Sequence, residues 1–133
     1  MDVWDGWPFA RVYLLFLAVG FVSLGAQVLL FHWRAGFSRL TMYGPVLLAP
    51  VITLAAVVAA IQRDGILGWI ALVAFALGVV SGLIGVYEHL NGIRHRIGGF
   101  SLRNAMSGPP PFLPAAYLLL SLTGGVAVIW QAL

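Results

Sequence analysis

Four long apolar runs, separated by short polar stretches, organise this chain: Val12 to Phe31, Tyr43 to Ile61, Ile66 to Tyr87 and Phe112 to Trp130, each of 19 to 22 residues. At about 1.5 Å per residue, each run makes a helix long enough to cross a hydrocarbon layer about 30 Å thick. The first run opens behind Asp2 and Asp5 and leaves through "FHWRAGF". A secretory signal peptide has a basic start and a small-residue cleavage site instead, so the first run is read as a retained helix. The pattern therefore predicts an all-α membrane protein with four transmembrane helices, a single domain over residues 1–133.

Composition agrees with the pattern. Of 133 residues, 62% are hydrophobic and 8% charged, and the mean hydropathy is +1.01. Soluble domains carry about a quarter charged residues. No stretch remains for a soluble domain. Cysteine is absent, which excludes disulfides and thiolate metal sites.

Lysine is absent too, so orientation rests on arginine. The two longer connections carry Arg34, Arg39, Arg94, Arg96 and Arg103, against Arg11 and Arg63 on the other side. The excess predicts cytoplasmic elbows and both termini outside. Trp4, Trp7, Trp69 and Trp130 then form an outer aromatic belt, with Trp33 and Tyr43 at the inner boundary. The five arginines are candidates both for fixing topology and for binding anionic headgroups, at about 1 kcal/mol per basic residue near the surface.

The connections repeat each other. "HWRAGFSRLTMYGPVLLAP" at 32–50 aligns with "HRIGGFSLRNAMSGPPPFLP" at 95–114 when Leu102 is left unpaired, giving nine identities in 19 positions. Unrelated segments would share roughly one or two. The expectation is two tandem hairpins in parallel orientation, residues 9–64 and 65–133, related by a pseudo-two-fold axis along the membrane normal. Glycine followed by proline in each elbow breaks the chain and starts the returning helix. Pro50 lies deeper and is expected to bend its helix.

Gly78, Gly82 and Gly85, with Ser81, form a small-residue ridge of the kind that lets helices approach closely in lipid, which places the third helix at the bundle centre. Continuing that face reaches His89. The elbow motif pairs His32 with His95, whereas position along the outgoing helices pairs His32 with His89, the preferred pairing. Two imidazoles facing across a bundle, His32 and His89, are candidate ligands of a haem b or partners of a quinone. Hydrogen bonding at the headgroup boundary is the competing use of the same residues. A metal site from Glu88, His89, His95 and His32 lacks the spacing that presents two ligands on one helix face, and none is expected. Gln27, strongly polar within a span, is expected to make an interhelical hydrogen bond.

Other chemistry is missing. No carboxylate lies at mid-membrane for an ion-coupled carrier. No nucleophile motif accompanies Glu88, the sole acid near a histidine, so no catalytic residue is assigned. The basic patch lacks the lysines and loop aromatics of a nucleic-acid binder.

The segment "GVYEHLNGIRHRIGGFSLRNAMSGPPPFLP" resembles a group of small bacterial inner-membrane proteins, which carry a histidine followed by a Gly-Pro-Pro and a further proline in a hairpin. The resemblance covers the second half and, through the repeat, the first elbow. It implies four helices in a bacterial cytoplasmic membrane and assigns no activity to any residue. The first span lacks the embedded glutamate of the small multidrug transporters. The expected function is that of a non-catalytic accessory or assembly subunit of a larger bacterial membrane complex, with electron transfer as one setting and other membrane subunits as partners. A haem b- or quinone-binding redox subunit and a small lipid or solute transporter are the alternatives.

Overall fold

The structure is a computed structural model that describes residues 6–62, 65–107 and 110–132. Asp2, Trp4, Asp5, Arg63, Asp64, Gly108 and Pro109 lie outside the described residues. Five helices follow one another: α1 (Phe9–Arg34), α2 (Tyr43–Ile61), α3 (Ile66–Gly92), the short α4 (Leu102–Ser107) and α5 (Phe112–Ala132). A 3₁₀ turn at Leu40–Met42 precedes α2, and a π-helical turn at Ile93–Ile97 extends α3. Among the described residues there is no strand. Four segments, Phe9–Arg34, Leu40–Ile61, Ile66–Ile97 and Phe112–Gln131, are long and apolar enough to cross a membrane, as in a multi-pass membrane protein.

The four long helices pack as a ring, α1 beside α2, α2 beside α3, α3 beside α5 and α5 back against α1. The third helix is therefore one wall of the ring and not its centre, as the glycine ridge had led us to expect. The ridge instead serves one seam. A Cβ at Gly82 would stand 2.7 Å from the Cα of Leu118, and one at Gly85 2.8 Å from Pro114 Cβ. A Cβ at Gly78 would meet Ser121 and stand 2.7 Å from Ile52 Cδ1. In lipid such close approach is what holds helices together, because hydrocarbon competes on equal terms for apolar side chains.

Each long helix sends one large side chain to the middle of the ring: Phe21, Ile52, Phe75 and Tyr117, none more than 1% exposed. The Phe21 ring meets Tyr117 edge-on at 5.1 Å and Phe75 at 6.2 Å, geometries that aromatic quadrupoles favour. Toward the chain termini the filling is small and dense, with Ala55, Ala56, Ala59 and Ala60 of α2 against Leu14, Leu17 and Ala18 of α1 and Ala71 and Ala74 of α3, all buried. Arg11, at that end, donates from Nε to the carbonyl of Ala60 at 3.1 Å and lies 4.1 Å above the Trp7 ring. Ala60 is in the last turn of α2, where carbonyls have no helical partner, so the guanidinium closes an otherwise open hydrogen bond.

The helix starts follow proline chemistry. Pro45 and Pro114 each occupy the first turn of their helices, where a missing N–H costs no bond. Pro50 lies inside α2, which runs on unbroken to Ile61 with Pro50 itself exposed on the outer side. Gln27 is also exposed on the outer side of α1, and among the described residues it has no hydrogen-bond partner. Among the described residues, then, the expected interhelical bond is not made.

Candidate site at the basic end of the bundle

The ring is not filled to both ends. Beyond Tyr117, on the side of the two elbows, lies a cavity of about 340 Å³ bounded by α1, the first elbow, α2, α3 with its π-turn, and α5. Its walls are apolar, formed among others by Val28, Phe31, Ile84, Ile93 and Leu113. Its charged and imidazole lining is His32, Arg39, Glu88, His89 and Arg96, with the hydroxyls of Thr41 and Ser81 beside them. Tyr117 lines the cavity as well, and its hydroxyl donates across the ring to the carbonyl of Pro45 at 3.1 Å. That carbonyl belongs to the first turn of α2, so one bond joins α5 to the helix diagonally opposite.

Both histidines are held by backbone. The Nδ1–H of His32 donates to the carbonyl of Met42 at 2.8 Å, and the Nδ1–H of His89 to the carbonyl of Pro110 at 3.2 Å. A ring oriented in this way holds Nε2 as its second functional nitrogen in the neutral form. His32 is further set by Phe37, whose ring lies edge-on to it at 6.1 Å and stacks on Tyr43 at 4.6 Å. Phe37 takes a left-handed backbone, φ 45°, a conformation that costs a side-chain-bearing residue about 1 to 3 kcal/mol. The two ring contacts offset that cost.

The elbow motif's other histidine goes elsewhere. His95 is exposed in the π-turn, with Nδ1 3.2 Å from the carbonyl of Asn91 one turn back in its own helix. The cavity thus unites His32 with His89 and leaves His95 outside. Arg34, Arg94 and Arg103 are exposed and away from the lining, whereas Arg39 and Arg96 reach it. Arg39 forms an ion pair with Glu88, joining the first elbow to α3 across the ring. Among the described residues no group of three or more histidines and carboxylates converges as a metal site would require.

One residue and one pairing at this site escape a reading of the sequence. Tyr117 sits in an apolar run that gives it no distinction beyond its hydroxyl, a polar tip that in a span usually marks a hydrogen bond. The Arg39–Glu88 pair joins residues 49 positions apart. Only the fold could bring them together.

A second, shallower hollow of about 220 Å³ lies on the seam between α2 and α3, lined by Leu40, Thr41, Gly44, Leu48, Leu77, Val80, Ser81 and Ile84. Thr41, Ser81 and Ile84 border both spaces.

Fold and site together define a helical protein of the multi-pass membrane type, with a polar-mouthed apolar cavity at its arginine-rich end. No protein-family model matches the chain, and no curated protein or solved structure matches it either.

Proposed function

We propose that this chain is an integral membrane protein that binds an anionic amphiphile at the basic end of its bundle, with the charged head among Arg96, Arg39, His32 and His89. One observation carries the reading: the cavity combines apolar walls with two arginines, two histidines and a single carboxylate, and that carboxylate is already matched by Arg39. Basic residues at a membrane boundary attract anionic heads at about 1 kcal/mol each, and a site walled by low-dielectric side chains strengthens the attraction. A lipid or small-solute carrier would use the same site.

In this reading the arginine-rich elbows face the cytoplasm, both termini lie outside, and the membrane is a bacterial cytoplasmic membrane. The two hairpins descend from one duplicated unit. Nine identities across the elbows support the duplication, as does a ring order that sets α1 opposite α3.

The test is binding of phosphatidylglycerol and phosphatidylcholine to the purified protein by native mass spectrometry. Phosphatidylglycerol should be retained selectively, and Arg96→Ala should weaken it by about fivefold. Equal retention of the two lipids would overturn the proposal. A Soret band in the purified protein would replace it with the haem reading through His32 and His89.

A second reading, an accessory subunit in a larger complex, is favoured by Gln27. An amide facing hydrocarbon about 10 Å inside the end of α1 loses hydrogen bonds that a neighbouring protein helix would restore. Gln27→Leu should then release a partner from gently solubilised membranes while leaving lipid binding untouched.

A further inference from the structure

A head held in the elbow cavity leaves the hydrocarbon chain of the same molecule to be placed, and the seams of the ring differ in what they permit. Within the first hairpin, a Cβ at Gly25 would stand 2.8 Å from Ala49 Cβ, so α1 and α2 touch there. Within the second, Gly82 and Gly85 bring α3 equally close to Leu118 and Pro114. Between α1 and α5, Tyr13 Oη donates to Thr123 Oγ1 at 2.7 Å. The α2–α3 seam carries a hollow that shares Thr41, Ser81 and Ile84 with the elbow cavity.

Gly44 lines the hollow next to the shared Ser81. A Cβ there would lie 3.5 Å from Ser81 Oγ, an ordinary contact, so α2 and α3 are not splayed here and the missing side chain leaves room beside Ser81. From there the hollow runs on to Leu48 and Leu77, about 6 Å along the helices. Leu77 is 48% exposed, so the outer edge faces the hydrocarbon.

Resting on the proposed head site, we infer that one hydrocarbon chain of the bound amphiphile leaves the cavity sideways past Gly44 and Ser81 and lies in the α2–α3 groove. The molecule therefore exchanges with the bilayer laterally. The occupant follows from the wall the two spaces share: the elbow cavity carries the basic groups, the adjoining hollow is largely apolar with Leu77 exposed beside it, and an amphiphile has a part suited to each.

The experiment uses the full chain in phosphatidylcholine nanodiscs doped with phosphatidylglycerol that carries a diazirine midway along one acyl chain. After irradiation, mass spectrometry should find the label on α2 and α3 around Leu48 and Leu77. In parallel, Gly44→Leu, which fills the room beside Ser81 with a good helix former, should weaken phosphatidylglycerol binding by about tenfold. The same variant should leave the shift of the His32 resonances by glycerol 1-phosphate, a head without a tail, as in the parent.

Label confined to α1 or α5 would overturn the inference. So would a Gly44→Leu protein that keeps full phosphatidylglycerol affinity while Arg96→Ala loses it, and the head site would then survive without the side passage. If the parent protein prefers neither phosphatidylglycerol nor glycerol 1-phosphate, the head site falls and the passage with it. Should Gly44→Leu fail to fold, the label map on the parent protein decides alone.

Discussion

The two ends of this bundle are built from similar residues and finished differently. Toward the termini, alanines, glycines and the Phe75 ring pack the interior closely. A Cβ at Gly124 would overlap the Cδ1–Cε1–Cζ edge of the Phe75 ring, so even one methyl is too many. Toward the elbows, the same four helices enclose about 340 Å³ of open space whose lining includes two histidines and two arginines. Helices in hydrocarbon gain little from hiding apolar surface, and their association rests on close contact of small residues. The close α3–α5 seam at Gly78, Gly82 and Gly85 runs on along the wall of the open space. That end is therefore held by one tight seam, and the space beside it carries the polar groups.

The contrast is open to breakage at chosen positions. The largest effect belongs to Gly82→Leu, whose new side chain meets the backbone of Leu118, an obstacle that cannot swing aside. Overpacking of this kind costs about 3 kcal/mol, and unfolding in a sodium dodecyl sulfate titration should move accordingly or the protein should fail to assemble. A wild-type curve for this variant would mean that the α3–α5 seam is looser than described. Phe75→Ala comes next, at about 2 kcal/mol in the same titration. That is below the usual cost of a phenylalanine truncation, because the unfolded helix keeps its side chains in hydrocarbon.

Tyr117→Phe removes the bond to the Pro45 carbonyl at the boundary between the two ends, and about 1 kcal/mol should be lost. Gly92→Ala should change sign. A Cβ there meets nothing within 4 Å, so the better helix former stabilises by somewhat under about 1 kcal/mol. A destabilised Gly92→Ala would show the elbow end to be as tightly built as the other. Smallest is the coupling of Arg39 with Glu88 in a double-mutant cycle, about 0.5 kcal/mol for a partly exposed pair. It should fade as salt is raised.

The repeated elbows show how far the pattern of residues carries. Gly36-Phe37-Ser38 and Gly99-Phe100-Ser101 are the same words, yet Phe37 is tucked between His32 and Tyr43 while Phe100 is exposed. Four runs of apolar residues announced four helices, and the returning helices begin near their prolines, as chain chemistry requires. The connection after α3 was less legible. Its glycines at 92, 98, 99 and 108 favour broken structure, but α3 continues through Gly92 into a π-turn. Among the described residues the break falls at Gly98 and Gly99, both at φ 104°, where a residue with a side chain would be strained. Gly92 has helical geometry, and in the sequence nothing separates it from the other two.

The sequence by itself settled that this is an all-helical chain with four segments able to cross a membrane, because run length and the absence of polar residues are local quantities that hydrocarbon reads directly. It also nominated His32 and His89. Which histidine shares a cavity with His32, that Glu88 meets Arg39, that Tyr117 reaches Pro45 and that Gln27 turns outward were decided only by the tertiary structure. Helices apolar on every side carry no stripe that fixes their rotation. Rotation is set where a glycine on one helix admits the backbone of another, and such matches exist only once the helices have met.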